Sequence, residues 1–395
     1  MTTITPRDEQ EACAAVAEAA AGRVPLALAG GGTKAAIGRP AQTERTLSAA
    51  ALSGVTLYEP AELVIGARAG TPLAEVEQTL ASRGQQLTFE PIDYRPLLGS
   101  AGEPTIGGVA AANLSGPRRI QAGAARDSLI GVRFVNGRGE TVKNGGRVMK
   151  NVTGLDLVKL LGGSWGTLGF LTEVVFKVLP KPERATTLVL RGLDEAAAAA
   201  AMSAALGSPY EVTGAAYLPA GLGGGASQTM IRLEGFAYSV DYRGGELRRL
   251  FRRNDLDIVE GEANTALWRG VRDVAPFAAG ISDEAVWRIS TVPTKGHHFT
   301  ELVARDVSCR WFYDWGGGLV WLACAAEGDA GAAIIRAALA QTGGHATLVR
   351  APAEVRAAVD VFQPLTEPLR RLTAGIKGSL DPVGIFSRGR MYAGI

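Results

Sequence analysis

The chain has 395 residues, of which 47% are hydrophobic and 20% charged, and its net charge is +2. At roughly 150 residues per domain this length gives about two or three domains with sizeable cores, and the near-neutral charge provides no field for nucleic acid. The three cysteines, Cys13, Cys309 and Cys324, have no C-x-x-C spacing, which excludes a self-held iron–sulfur cluster, and so sparse and odd a set suits reduced cytosolic thiols better than a disulfide framework. No apolar run of ~20 residues is present to span a membrane.

Thr5-Pro6-Arg7-Asp8 reads as an N-cap, a proline at N1 and an acid at N3, opening an alanine-rich helix that Gly22 closes. No basic start followed by an apolar core precedes it, so no secretory leader is expected. Val24–Ala29 is a short apolar run of buried-strand type that meets Gly30-Gly31-Gly32-Thr33-Lys34. Strands are expected at Val55–Tyr58 and Leu63–Arg68, then a helix from Thr71-Pro72 to Gly84 and a loop over Glu90–Pro104. Thr105 to Asn113 has the look of a small-residue helix start, and Leu129–Asn136 with Glu140–Val142 that of a hairpin across Gly137-Arg138-Gly139. A strand at Leu171–Leu179 ends at Pro180 and Pro182, where the first domain boundary is expected.

Beyond it, strand-like runs near Thr186–Arg191, Val212–Leu218, Thr229–Gly235, Ala285–Val292, Ser308–Asp314 and Gly318–Ala323 alternate with helical stretches at Asp194–Leu206, Arg243–Arg253, Ala263–Arg272 and Asp329–Thr342. This alternation suits a small sheet with helices on one face. The cluster Arg248-Arg249-Leu250-Phe251-Arg252-Arg253 reads as a solvated helix face or a partner-docking surface. Pro364–Ala374 looks helical and leads to Asp381-Pro382-Val383-Gly384-Ile385-Phe386-Ser387-Arg388-Gly389-Arg390-Met391-Tyr392.

The densest signal is glycine. Gly145–Lys181 contains Gly145, Gly146, Gly154, Gly162, Gly163, Gly166 and Gly169 beside an apolar strand. Glycine lets main chain turn sharply and approach a ligand closely. Successive N–H groups in a turn such as GGGTK form an anion-binding concavity, to which the Thr33 hydroxyl and the Lys34 charge add. A plain flexible turn also accounts for GGGTK taken alone. Three such sites in one half of the chain point to a large phosphate-bearing cofactor. Neither G-x-G-x-x-G nor G-x-x-x-x-G-K-[ST] occurs in them, so an NAD site and a P-loop are not expected.

GGGTK after a strand, TIGG with Asn113, Lys150-Asn151 with Asp156-Leu157, and Gly166-Thr167-Leu168-Gly169 stand in the order found in FAD-linked oxidases. The chain resembles the flavoproteins of the vanillyl-alcohol-oxidase and p-cresol-methylhydroxylase type. Leu114-Ser115-Gly116-Pro117-Arg118-Arg119, Gly123-Ala124-Ala125-Arg126-Asp127, Val148–Asn151 and the DPVGIFSRGRMY ending narrow this to the E-subunit branch of bacterial glycolate oxidases. The resemblance implies an α+β protein: a bipartite FAD-binding domain of two α+β lobes over 1–182, a smaller α+β cap over 183–350, and a C-terminal segment over 351–395 that returns to the FAD domain. It implies that Gly30, Gly31, Gly32, Thr33 and Lys34 cradle the pyrophosphate, and that Thr105, Gly107, Gly108 and Asn113 line pyrophosphate and flavin. Gly123 and Asp127 would lie close to the cofactor, and Gly166, Thr167, Gly169 and Phe170 would pass beside adenosine or flavin. Asn113 and Asp127 read equally as caps.

The departures carry chemistry too. The first loop has no His and the second no Cys, so FAD is expected to be noncovalent. The H-x-G-D-G-N type of metal motif found in relatives that oxidise hydroxy acids is absent, and no metal is expected. The histidines are His297, His298 and His345. His298 is a candidate base and Arg288, with Arg269 and Arg272, a candidate carboxylate anchor; a surface His and solvated or salt-bridged arginines are the alternative. The resemblance implies a subunit of a glycolate-oxidising complex beside a homologous FAD-containing catalytic D subunit and an iron–sulfur F subunit. The complex would be cytoplasmic, at the membrane only peripherally, and would not bind nucleic acid. A free-standing FAD oxidoreductase for another hydroxy acid or alcohol, and a non-redox scaffold with a degenerate pocket, are the alternatives.

Overall fold

The computed structural model describes residues 2–43, 45–146, 154–279 and 284–395. The expected VMKN motif, with Lys150 and Asn151, lies outside the described residues.

Three larger sheets and one two-stranded antiparallel pair, Gln85–Gln86 with Leu179–Pro180, organise the described residues. A parallel three-stranded sheet runs in the order Thr2–Ile4, Arg45–Ser48, Ala27–Ala29. An antiparallel five-stranded sheet runs Val55–Glu59, Val64–Arg68, Phe170–Lys177, Leu129–Val135, Thr141–Gly145. The third has eight antiparallel strands, in the order Leu256–Glu260, Arg184–Arg191, Gln228–Gly235, Gly214–Leu218, Cys309–Asp314, Leu319–Cys324, Ala285–Ser290, His345–Arg350. It is the largest sheet, where the sequence pattern suggested a small one. Leu256–Glu260 is an edge strand with alternating exposure and His345–Arg350 is exposed at its start, so neither carries the continuous apolar run of a central strand.

Local chemistry sets the element ends. The first helix covers Glu9–Ala21, and its N-cap is Asp8, whose carboxylate accepts from the Glu11 N–H. The expected cap, Thr5, instead follows directly on the parallel strand Thr2–Ile4. The left-handed residue that turns the chain out of this helix is Arg23 rather than Gly22. The helix Ile106–Ala112 starts as its sequence predicts: Thr105 accepts from the Gly108 N–H, and Asn113 ends it in the left-handed region at φ 50°. Glu90–Pro104 contains a short helix, Arg95–Leu98. The helix expected at Arg243–Arg253 covers Ala237–Leu250, and the one near the C-terminus covers Glu367–Leu380.

A buried charge network joins the eight-stranded sheet to the loops of the first half. Glu90 receives two hydrogen bonds from the Arg232 guanidinium at 2.8–2.9 Å, and Arg118 binds Glu234 at 2.5 Å. Arg232 also lies over the Trp268 ring, 4.4 Å from its centroid. Burial alone would raise the Glu90 carboxyl, but Arg232 and Arg118 outweigh it and hold the group down at about 2.

Candidate cofactor site

A cavity of about 960 Å³ opens between the strand Ala27–Ala29, the turn that follows it, the helix Ile106–Ala112 and the C-terminal tail. Its volume is at the upper end of the ~300–1,000 Å³ typical of small-molecule sites. Gly30, Gly31, Gly32, Thr33, Lys34, Thr105, Gly107, Gly108, Gly166, Gly169 and Phe170 all line it. The structure thus brings together three glycine-rich stretches that are far apart in sequence.

The glycines serve two different needs. A Cβ on Gly31 would lie 1.9 Å from the Glu103 carbonyl oxygen, and one on Gly30 would lie 2.3 Å from the Thr105 hydroxyl. The turn is therefore pressed against the loop before the helix: Gly31 permits backbone to meet backbone, and Gly30 makes room for the Thr105 side chain. At Gly32 a Cβ would meet nothing, but φ is +78°, a conformation that strongly favours glycine. Close approach to a ligand is thus not what fixes Gly31.

Charge is the other property of the wall. Lys34, Arg39, Arg356, Arg388 and Arg390 line the cavity, and among the described residues no carboxylate does. Arg390 donates to the carbonyls of Ile37, Trp165 and Lys34 and lies over the Trp165 ring at 5.4 Å; burial lowers it to about 10. Arg39 donates to Ala357 and Val359, and Arg356 to Ala351 and Gly38, all backbone carbonyls. Lys34 donates to the Thr33 hydroxyl at 3.0 Å, which leaves that hydroxyl's own proton free to be donated. Burial pushes Lys34 down to about 8, against the weaker pull of Asp93. Buried positive charge without a carboxylate partner is costly, and a doubly charged phosphate ligand is its natural complement. The donor set and the volume fit a dinucleotide.

Trp165, Arg39, Arg356, Ser387 and Arg390 are cavity residues outside the sequence-based set. Ser387 and Arg390 belong to the DPVGIFSRGRMY ending, which the fold carries back to the strand Ala27–Ala29; Trp165, Arg39 and Arg356 have no such signal. Leu26 pairs in parallel with Phe386, the Leu26 N–H donates to Ile385 and the Leu28 N–H to the Ser387 hydroxyl.

Other sequence-derived candidates lie outside the lining. Asn113 accepts from the Arg126 N–H, and Asp127 accepts from the Ala124 N–H. Gly123, at φ +77°, packs against Asp127, and the Thr167 hydroxyl donates to Ser164. His298 is exposed on the helix Gly296–Ala304, 3.5 Å from Glu301. Arg288 is on the eight-stranded sheet with its guanidinium 4.9 Å from the Trp315 ring centroid. Arg269 is exposed, and Arg272 pairs with Asp273 at 2.8 Å.

The family model described as "FAD binding domain" matches residues 2–145. Over 383 residues the chain is 37% identical to glycolate oxidase subunit GlcE of Escherichia coli K12, covering 96% of this chain and 95% of that one. The chain belongs to the GlcE family. Glycolate oxidase subunit GlcD of Bacillus subtilis is 30% identical over 187 residues, 47% of this chain and 38% of GlcD. Among solved structures, 4-ethylphenol oxidase from Gulosibacter chungangensis superposes with a TM-score of 0.74 at 13% identity, over 99% of this chain and 89% of that one. An alkyldihydroxyacetonephosphate synthase gives 0.70 at 17% identity, over 98% and 75%. This GlcE-family chain therefore has the fold of the p-cresol-methylhydroxylase-type FAD-linked oxidases. It is an FAD-binding oxidoreductase component, and the cavity wall comes largely from the residues that the family model matches.

Proposed function

We propose that this chain is the FAD-binding subunit of a glycolate oxidase complex that converts glycolate to glyoxylate. FAD sits noncovalently in the 960 Å³ cavity, its pyrophosphate against Gly30–Lys34 and Arg390 and its other groups along Thr105–Gly108 and Gly166–Phe170. The observation that carries this is the lining: five basic side chains, Lys34, Arg39, Arg356, Arg388 and Arg390, and no carboxylate among the described residues. Among the described residues the lining has no His or Cys either, which supports a noncovalent site. Bound flavin supplies a two-electron acceptor; this chain's residues hold it and exclude water around it. Residues 1–182 serve as the FAD-binding domain, 183–350 as the cap and 351–395 as the returning segment.

In this reading a homologous D subunit takes the hydride from glycolate, and this subunit's flavin relays electrons or supports the assembly. An iron–sulfur F subunit passes electrons on. Two observations favour the division. Among the described residues no group of three His, Cys, Asp or Glu side chains could hold a metal ion, and His298 is exposed on a helix. Among the described residues no helix is long and apolar enough to cross a membrane; contact with the inner face of the membrane would then be peripheral and through partners.

Anaerobic addition of glycolate to the flavin-loaded chain, alone and with the D subunit, tests the division. Bleaching only with the D subunit present supports it. Bleaching of the chain alone makes it a dehydrogenase in its own right.

A further inference from the structure

Arg119 and Arg288 converge on one tryptophan from different halves of the chain. Arg119 opens the short helix Arg119–Ala122, and Arg288 lies on the strand Ala285–Ser290. Their guanidinium carbons lie 4.5 Å and 4.9 Å from the Trp315 ring centroid. Trp315 is fixed there: its indole N–H donates to the Gly116 carbonyl at 3.0 Å, and its backbone N–H donates to Asp314 at 2.7 Å. It also holds φ at +52°, a left-handed conformation unusual for a bulky side chain. Such a retained outlier points to a constrained local geometry.

The two arginines differ from the chain's other inward-facing ones. Arg118 and Arg232 bind carboxylates, and Arg243, Arg356 and Arg390 bind backbone carbonyls. Among the described residues, no hydrogen bond or ion pair satisfies the Arg119 or Arg288 side chain; each has only the indole face. Both are half-buried, so they remain reachable by a small solute. Burial lowers both groups; at Arg119 the charge of Arg288 adds to that, and at Arg288 Tyr94 and Asp314 oppose it. Two guanidiniums packed against one ring without an acceptor leave positive charge uncompensated, and an anion that reaches both removes that penalty.

The neighbours favour a small acid over an inorganic anion. The Tyr94 ring is buried edge-on against Trp321, 6.4 Å between centroids, and its hydroxyl makes no hydrogen bond among the described residues. Asp314, fully enclosed, is pushed up to about 7 by burial, so near neutrality it only partly offsets the two cations. His345 is at the rim, lowered by burial and by the charges of Arg288 and Arg119. The surface offers planar bidentate donors for a carboxylate, with apolar and hydroxyl groups beside them.

We propose that Arg119 and Arg288, with Trp315 as the platform, form a binding site for a small carboxylate, of the 2-hydroxy or 2-oxo acid class. The site deepens the reading above, in which this family handles such acids, but its binding does not depend on the flavin. Titration calorimetry of the flavin-loaded chain with oxalate tests it, alongside Arg119→Met, Arg288→Met, Arg288→Lys and the exposed control Arg269→Met. The expected result is saturable one-to-one binding by the unmodified chain and the control. The two Met variants should lose about tenfold or more in affinity, and the Lys variant should lose less. Flavin content should be unchanged in all, because neither arginine lines the cofactor cavity. Absence of oxalate binding by the unmodified chain, or equal binding by the Met variants, overturns the site. If oxalate fails to bind but Arg288→Met weakens co-purification with a D subunit, the acceptor is a partner side chain and the small-acid site is likewise overturned. Oxalate binding by a chain that never holds flavin would keep this site and refute the cofactor assignment instead.

Discussion

Lys377 and Asp381, one helical turn apart, form a buried ion pair at 2.7 Å that fastens three segments together. Lys377 also donates to the carbonyls of Thr167 at 2.6 Å and Phe386 at 2.8 Å. Asp381 accepts from the backbone N–H groups of Ile385 and Phe386. The end of the helix Glu367–Leu380, the glycine loop at Thr167 and the tail that carries Arg390 are thereby held in one geometry. Burial lowers Lys377 and Asp381 opposes that shift.

Removing one partner of this pair leaves an uncompensated buried charge. Asp381→Ala is expected to cost about 3–5 kcal/mol and to release flavin, since two N–H groups of the tail also lose their acceptor. Chemical denaturation and flavin content measure both effects. A change below about 1 kcal/mol with flavin retained would show that the tail is held by other contacts.

The Glu90 network makes a second prediction, about acid. The Glu90 carboxyl is held at about 2 in the folded protein, against an unperturbed value near 4.5. A depressed carboxyl contributes stability above its unfolded value and loses it as pH falls toward the folded one. Stability should therefore fall between about pH 4.5 and pH 2, and Glu90→Gln should flatten part of that slope. The variant should cost about 3–5 kcal/mol at pH 7, because Arg232 is left buried without its main partner. Denaturant melts at several pH values check both statements.

Gly31 and Gly32 separate two roles of glycine. Gly31→Ala puts a methyl 1.9 Å from the Glu103 carbonyl oxygen, so the loop before Thr105 must move and flavin retention should fall. Gly32→Ala has open space but a left-handed backbone; its expected cost is about 1 kcal/mol, with flavin kept. Equilibrium dialysis of FAD against the two variants distinguishes them, and equal retention by both would contradict the packing account.

Lys34 predicts a pH dependence of cofactor binding. Its ammonium is lowered to about 8 by burial, with Asp93 pulling up and Arg390 and Arg95 pushing down. For the flavin-free fold the burial penalty applies below pH 8 and is relieved as pH rises toward 10.5. Binding a phosphate anion needs the charged form, so FAD affinity should weaken as pH rises through about 8. Lys34→Met should bind about 10–100-fold more weakly at neutral pH and show a flatter profile. Fluorescence titrations from pH 7 to 9 read both.

How much of this was legible in the sequence depends on how local each signal is. Thr105, Gly108 and Asn113 cap a single short helix, and that cap can be read from adjacent residues. Val24–Ala29 was legible as a strand entering a glycine turn, although regular pairing covers Ala27–Ala29. Gly31 was legible as a required glycine but for a different reason, because its constraint is the Glu103 backbone, which no local pattern announces. Arg39, Arg356 and Arg390 meet only because Leu26 pairs with Phe386, a contact between opposite ends of the chain. Arg119, Arg288 and Trp315 likewise come together only through tertiary packing. The edge strands Leu256–Glu260 and His345–Arg350 escaped because exposed and partly exposed side chains interrupt their apolar runs.

The most direct test of the central claim is the flavin content of the purified chain, read by absorption before and after acid denaturation. The account predicts about one FAD per chain, with flavin bands that pass entirely into solution when the protein is precipitated. A chain without flavin even after incubation with excess FAD, or flavin that stays with the denatured protein, would contradict a noncovalent FAD site built from Gly30–Lys34 and Arg390.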